Sequence, residues 1–264
     1  MMNIRPVTPS LGAMVDGVRL SADADDEVID FVKRALDEHL VLVFKNQDLD
    51  ARGLRDLSAR LGPVFQHHVA ENVIFSPGVP EVLEVVKEMD GERLFGDSDW
   101  HADVTFTNPE GHITLLQAKM VPPVGGDTCF ASTMVAYDAL SAGMKKLLES
   151  LNGVNSYDGR GVPDHPEHTA VHPVVRTHSR TGRRGLYVNR MFVTRFEGMT
   201  ARESEPIIDF LDGHISRPEF TCRISWEPGQ LVMWDNRFTL HLPVNDFTGY
   251  RRRLLRCTTL DTKI

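Results

Sequence analysis

Hydrophobic spacing divides the chain into helical and strand-like stretches. From Asp26 to Leu40 the apolar residues Val28, Ile29, Val32, Leu36 and Leu40 recur at helical intervals, with Asp25 or Asp26 placed to cap the start. The run Leu40-Val41-Leu42-Val43-Phe44 is continuously apolar and β-type, which predicts a strand buried on both faces. Asp50 to Leu61 predicts a second helix, stopped by Gly62-Pro63. Val82 to Lys87 predicts a strand. After residue 100 strand signals dominate: Ile113 to Ala118, Thr128 to Phe130, Phe220 to Trp226, Leu231 to Trp234 and Arg251 to Leu260. Turn chemistry separates them at Pro122-Pro123, Gly125-Gly126, Glu227-Pro228-Gly229 and Asn245-Asp246. Two amphipathic helices, Leu140 to Leu151 and Thr200 to Ile215, interrupt this part. Many short strands with few helices predict a mainly β domain of the sandwich or barrel kind, with flanking helices, and 264 residues fit one such domain.

Composition narrows the classes. A hydrophobic content of 41% supports a sizeable core, and no apolar run reaches the roughly 18 residues that would span a membrane. The first residues lack the apolar stretch of a signal peptide. The three cysteines, Cys129, Cys222 and Cys257, are far apart and form no C-x-x-C, so they read as reduced thiols of a cytoplasmic protein. A net charge of −8 argues against a nucleic-acid surface.

The candidate chemistry lies in Trp100-His101-Ala102-Asp103-Val104-Thr105-Phe106. On a strand, His101 and Asp103 at i and i+2 project from one face toward one metal. Two histidines and a carboxylate form the facial triad of non-haem Fe(II), which leaves positions open for a chelating cosubstrate and O₂. With 11 histidines, about one or two H-x-[DE] matches arise by chance, and His165-Pro166-Glu167 is a second one. That second match holds a proline, which strands disfavour. His241 is available as a third ligand, although a histidine at a strand end is more often structural. The residues alone leave both a ligand set and a satisfied structural pair standing.

The run Arg251-Arg252-Arg253-Leu254-Leu255-Arg256 is the other unusual feature. Arg252, Leu254 and Arg256 share one face of a strand; Arg251, Arg253 and Leu255 share the other. An inward face would carry two guanidiniums into the interior, which is costly without anions to pair them.

With these motifs in place, the chain resembles the taurine dioxygenase (TauD/TfdA) family of Fe(II)- and 2-oxoglutarate-dependent oxygenases. The likeness runs through Gly12-Ala13 to Gly17-Val18, Trp100 to Phe106, Gly125-Gly126-Asp127-Thr128 and His172 to His178. It continues through Leu186-Tyr187-Val188-Asn189, Trp234-Asp235-Asn236-Arg237, His241 and Arg252 to Arg256. The resemblance implies a double-stranded β-helix, or jelly roll, with helices outside. It implies that His101, Asp103 and His241 ligate Fe(II), and that Arg252 and Thr128 bind the distal carboxylate of 2-oxoglutarate. Arg256 would hold a small anionic substrate, helped by His67 (with His68 as its competitor). Val104 and Phe106 would wall the substrate pocket and Phe192 would close it. The polar, Gly/Pro-rich stretch from 152 to 184 reads as a lid loop. The implied reaction is hydroxylation of a sulfonate such as taurine, or of an alkyl sulfate, with loss of the leaving group. An aryloxyalkanoate or another carboxylate is the alternative substrate. Asp103 occupies the position that a halogenase leaves open for chloride. A non-catalytic jelly-roll binding protein would need a damaged triad, and this one is intact. Similar proteins are often homo-oligomers.

Overall fold

A computed structural model describes residues 2–67, 74–92, 94, 96–97, 99–157 and 168–261. His68 and the His165-Pro166-Glu167 match lie outside the described residues. The chain begins with β1 (Asn3–Pro6), β2 (Ala13–Asp16), α1 (Asp26–His39), β3 (Val41–Phe44) and α2 (Ala51–Leu61). Next come β4 (Ile74–Ser76), β5 (Val79–Lys87), β6 (Gly111–Met120) and β7 (Thr128–Ser132). Helices α3 (Thr133–Asp138) and α4 (Ala142–Leu148) precede β8 (Asn152–Ser156), β9 (Thr169–Pro173), β10 (Val175–Thr177), β11 (Arg184–Leu186) and β12 (Val193–Phe196). Helix α5 (Ala201–Ile215) leads to β13 (Thr221–Ile224), β14 (Leu231–Asp235), β15 (Thr239–Pro243) and β16 (Arg252–Leu260).

Eight strands form one sheet in the order β1-β2-β3-β14-β6-β16-β5-β4, and β13-β7-β15 form a second. Strands distant in sequence thus become neighbours, as a rolled sheet requires, and the architecture is a jelly roll with helices packed outside.

Period-2 alternation builds the core. Val41 and Val43 of β3, Val232 and Trp234 of β14, and Leu254 of β16 pack inward with Phe130 of β7. Their alternates Leu42, Phe44, Leu231, Met233 and Leu255 pack outward beneath α1 and α2. Both faces are covered, which is why the Leu40–Phe44 run shows no polar alternation. Arg252 and Arg256 share the inward face with Leu254, and both are buried. Arg251 is exposed, while Arg253 pairs with Glu84 at 2.7 Å.

Helix ends follow local chemistry. Asp50 accepts a hydrogen bond from the Gly53 N–H at the start of α2. Thr200 and Glu203 form a reciprocal capping box on α5. The helix expected from Leu140 to Leu151 is shorter than its spacing predicts. Ser141 caps Met144 and so starts α4 later, while Leu140 closes the turn after α3.

Two expectations need correction. The stretch 152–184 is not one long loop: β8 pairs with β9 in register from Asn152↔Pro173 to Ser156↔Thr169, and β10 follows directly. Pro173 sits at a strand end, where its missing N–H costs no ladder bond. The second correction concerns His101 and Asp103, which do not lie on a continuous strand. His101 makes a single antiparallel bridge with His241, and the chain then turns through residues 103–106. The β-propensity of Val104, Thr105 and Phe106 is overridden by hydrogen-bond anchors. The Asp103 N–H donates to Asn236 Oδ1 at 3.0 Å, and the Gly111 N–H donates to the Val104 carbonyl at 3.0 Å.

Candidate metal centre

The His101–His241 bridge does the placing. His101 N donates to His241 O at 3.0 Å and His241 N to His101 O at 2.7 Å. Two backbone bonds across 140 residues of sequence therefore set the rings side by side, centroids 4.1 Å apart. His241 stands in β15, paired to Phe130 of β7, with its ring against Trp234 at 4.8 Å. One nitrogen or oxygen from each of His101, Asp103 and His241 lies within 4.8 Å of the others, and all three residues are buried.

The turn carrying Asp103 is tight. Val104 adopts φ 56°, a conformation costly for a β-branched residue by roughly 1–3 kcal/mol. Gly111 closes the turn, and a Cβ there would lie 2.5 Å from the Asp103 carbonyl oxygen. Gly111→Ala is therefore expected to destabilise the fold by about 1–3 kcal/mol and to weaken metal binding. Urea midpoints and Mn(II) titration check this; unchanged values for both would show that the turn relaxes without effect.

Burial decides the protonation states. Desolvation lowers the pKa of His101, and desolvation together with the neighbouring His101 pushes His241 down to about 3. Burial alone would raise Asp103, but Arg256, His241 and His101 outweigh it and hold the carboxyl at about 2. At neutral pH the cluster is two neutral imidazoles and one carboxylate, the donor state that metal binding requires. His101 Nδ1 bonds the Asp99 carbonyl at 2.9 Å, so its hydrogen sits there and the Nε2 lone pair is left for a ligand. His241 Nε2 faces Asp103 Oδ1 at 4.0 Å, and its Nδ1 is buried with no hydrogen-bond partner among the described residues. These donors fit a divalent metal.

A pH dependence follows. Unfolded His241 takes up a proton below its ordinary value of 6.5, whereas the native residue does so only near 3. This contribution to stability is complete above pH 6.5 and is lost as pH falls toward 3. Urea unfolding of metal-free protein is expected to lose roughly 2 kcal/mol between pH 7 and 5, with part of that slope absent in His241→Gln. Equal slopes for both proteins would refute the assignment.

Beside the triad lies a small cavity of about 30 Å³, lined in part by Leu116, Thr128, Trp234, Arg252 and Arg256. Arg252 is 1% exposed, donates from Nε to the Gly126 carbonyl at 3.2 Å, and has Nη2 without a hydrogen-bond partner among the described residues. Trp226 lies under the guanidinium and donates its indole N–H to Thr128 Oγ1 at 3.0 Å. The Thr128 hydroxyl hydrogen is thereby left to donate beside Arg252. Arg256 places Nη1 3.1 Å from Asp103 Oδ1.

Two of the expected wall residues, Phe106 and Phe192, gather near His101. Phe192 stands 6.3 Å from the His101 ring and 5.3 Å from Phe106, which meets Tyr157 at 4.9 Å. Val104 is buried in the turn. His67 packs edge-on against Phe65 at 4.7 Å. Sequence reasoning did not single out Thr114, Tyr157 or Trp226, and it noted Asn236 only as part of a motif. A polar residue beside a buried aromatic, as in Trp234-Asp235-Asn236, is the signal for the last. A larger cleft of about 710 Å³ lies elsewhere, lined by Asp37, Glu110, Asp235, Asp261, Arg176, Arg180 and Arg237 among others. Its carboxylates are matched by its own arginines, so it offers less unpaired charge than the small cavity.

Residues 3–258 match the family model described as "Taurine catabolism dioxygenase TauD, TfdA family". The chain belongs to the TauD/TfdA dioxygenase family. TauD/TfdA relatives include an alkylsulfatase of Acinetobacter baylyi, 32% identical over 98% of this chain and 84% of the relative. An alpha-ketoglutarate-dependent sulfate ester dioxygenase of Pseudomonas putida is also 32% identical, over 98% of this chain and 89% of the relative. Among solved structures, a taurine dioxygenase from Burkholderia xenovorans superposes with TM-score 0.85 at 33% identity, covering 99% of this chain and 91% of that one. AAD-2, solved with Mn(II) and N-oxalylglycine, superposes with TM-score 0.87 at 26% identity, covering 99% and 98%. As a TauD/TfdA protein the chain is a 2-oxoglutarate-dependent dioxygenase, of a family that uses Fe(II), and it carries the His-Asp-His cluster. No helix among the described residues is long and apolar enough to cross a membrane.

Proposed function

We propose that this chain oxidises a small anionic ester, an alkyl sulfate, with release of sulfate. The observation that carries the reading is Arg256. Its guanidinium lies against the metal-ligand candidate Asp103 and lines the cavity at His101, whose ring also meets Phe192 and, through it, Phe106 and Tyr157. An anion-binding fork and a group of apolar rings reached from the same metal-ligand histidine suit a charged head on a hydrocarbon chain. The sulfate-ester relatives support the same substrate class.

In this reading His101, Asp103 and His241 hold Fe(II), which with 2-oxoglutarate and O₂ supplies the oxidation of a C–H bond. Arg252 and Thr128 bind the distal carboxylate of 2-oxoglutarate: a buried guanidinium with an orphaned Nη2 needs an anion, and Thr128 has a hydroxyl hydrogen to give. Arg256 fixes the sulfate and so places the adjacent carbon near the metal. His67 contributes to the anion-binding end. Val104, Phe106 and Phe192 exclude water from the reacting carbon. Asp103 fills the carboxylate position, so the product is the alcohol rather than a halide. The hydroxylated ester carbon, RCH(OH)OSO₃⁻, then collapses to an aldehyde and hydrogensulfate, while 2-oxoglutarate becomes succinate and CO₂.

The test is a panel of an alkyl sulfate, taurine and phenoxyacetate with Fe(II) and 2-oxoglutarate, succinate being measured and His101→Ala serving as the blank. The alkyl sulfate is expected to give the highest kcat/KM. A higher value for phenoxyacetate would replace this reading with aryloxyalkanoate oxidation, and full activity in His101→Ala would remove the triad assignment.

A further inference from the structure

We propose that Asn236, acting through Thr114, is a positioning residue that selects which oxygen of Asp103 is offered to the metal. The inference rests on the reading that the triad binds metal. Asn236 is 1% exposed. Its Oδ1 accepts from the Asp103 backbone N–H at 3.0 Å and from Trp234 Nε1 at 2.9 Å. Both partners can only donate, so the amide cannot be flipped. Nδ2 must then point to the His112 carbonyl at 3.3 Å and to Thr114 Oγ1 at 2.9 Å.

That orientation sets the polarity of everything beyond it. Thr114 accepts from Asn236, and its one hydroxyl hydrogen goes to Asp103 Oδ2 at 2.9 Å, an acceptor-only atom. Thr258 Oγ1, 3.0 Å from Thr114, becomes a second donor to it. Asp103 Oδ2 is thus capped, while Oδ1 faces His241 Nε2 and Arg256. One oxygen is tied to the scaffold and the other is presented to the site, so Asp103 binds through Oδ1 alone. Asn236 therefore holds the ligand residue twice, directly at its backbone N–H and through Thr114 at its carboxylate.

The turn holding Asn236 is itself clamped. Asp235 and Arg237 form a two-bonded ion pair, Nη2–Oδ2 2.7 Å and Nε–Oδ1 3.0 Å, and Arg237 N also donates to Asp235 Oδ1. Trp234, two residues before Asn236, packs on His241. The four residues from Trp234 to Arg237 thereby support two of the three ligands.

Thr114→Val keeps the shape and removes the cap. Asn236→Asp removes no heavy atom but turns a carboxylate oxygen toward Thr114, whose hydroxyl then donates to that new carboxylate instead of to Asp103. Both variants, and Thr114→Ser, are compared with wild type for Mn(II) affinity, read from the free-ion paramagnetic resonance signal, and for the visible spectrum of the Co(II)-loaded protein. The expected result is a Kd for Mn(II) raised about 10–100-fold in Thr114→Val and Asn236→Asp, with a changed Co(II) spectrum and recovery of both in Thr114→Ser. Folded Thr114→Val or Asn236→Asp with wild-type affinity and an unchanged spectrum would overturn the proposal. If wild type itself binds neither ion, the metal reading fails instead.

Discussion

Arg252→Met is expected to abolish 2-oxoglutarate binding and, at the same time, to stabilise the ligand-free protein. Both effects come from one buried guanidinium. Arg252 has a single carbonyl partner, an orphaned Nη2 and no carboxylate within ion-pair distance among the described residues. Desolvation lowers its pKa to about 10, so it stays charged at neutral pH. Holding that charge costs folding energy, and replacing buried charge by an apolar side chain of similar length often gains roughly 1–4 kcal/mol. Losing a charge-assisted, bidentate contact should weaken 2-oxoglutarate by about 100-fold or more. Urea unfolding with and without 2-oxoglutarate separates the two: wild type gains stability on adding it and Arg252→Met does not. A variant that is less stable than wild type yet still protected by 2-oxoglutarate would contradict the assignment of Arg252.

Arg256→Gln is expected to raise KM for an alkyl sulfate by about 30–1000-fold, equivalent to roughly 2–4 kcal/mol, while 2-oxoglutarate affinity stays near wild type. Its second effect has the opposite sign. Arg256 sits 3.1 Å from Asp103 Oδ1, where it competes with a metal cation for the same oxygen. Without it, Mn(II) affinity should hold or rise, and the metal-free protein should lose stability because Asp103 is left buried without its cation. Calorimetric Mn(II) titration alongside steady-state kinetics measures both. Weakened Mn(II) binding with an unchanged substrate KM would make Arg256 a structural partner of Asp103 only.

The fold was legible where one physical rule governs a segment. The helical spacing of Val28 to Leu36 and the doubly buried run Val41 to Phe44 needed only periodicity. The inward face of Arg252 and Arg256 needed the structure, because both faces of that strand carry two arginines and only packing with Leu254 distinguishes them. The triad was legible as a set of ligand types, but not as geometry. A strand was expected at His101-Ala102-Asp103, and a single bridge followed by a turn is found. Residue propensity favoured the strand, whereas the turn depends on Asn236 and Gly111, both distant enough that no local rule reports them. The 152–184 stretch failed for a related reason: its Gly and Pro content hides pairing that only the partner strand reveals.

Succinate and sulfate measured together decide whether the ester is cleaved by oxidation. With Fe(II), 2-oxoglutarate, O₂ and an alkyl sulfate, the expected yield is one sulfate per succinate, and none without 2-oxoglutarate or O₂. Sulfate released without 2-oxoglutarate or O₂ would mean hydrolysis and would rule out oxidative cleavage.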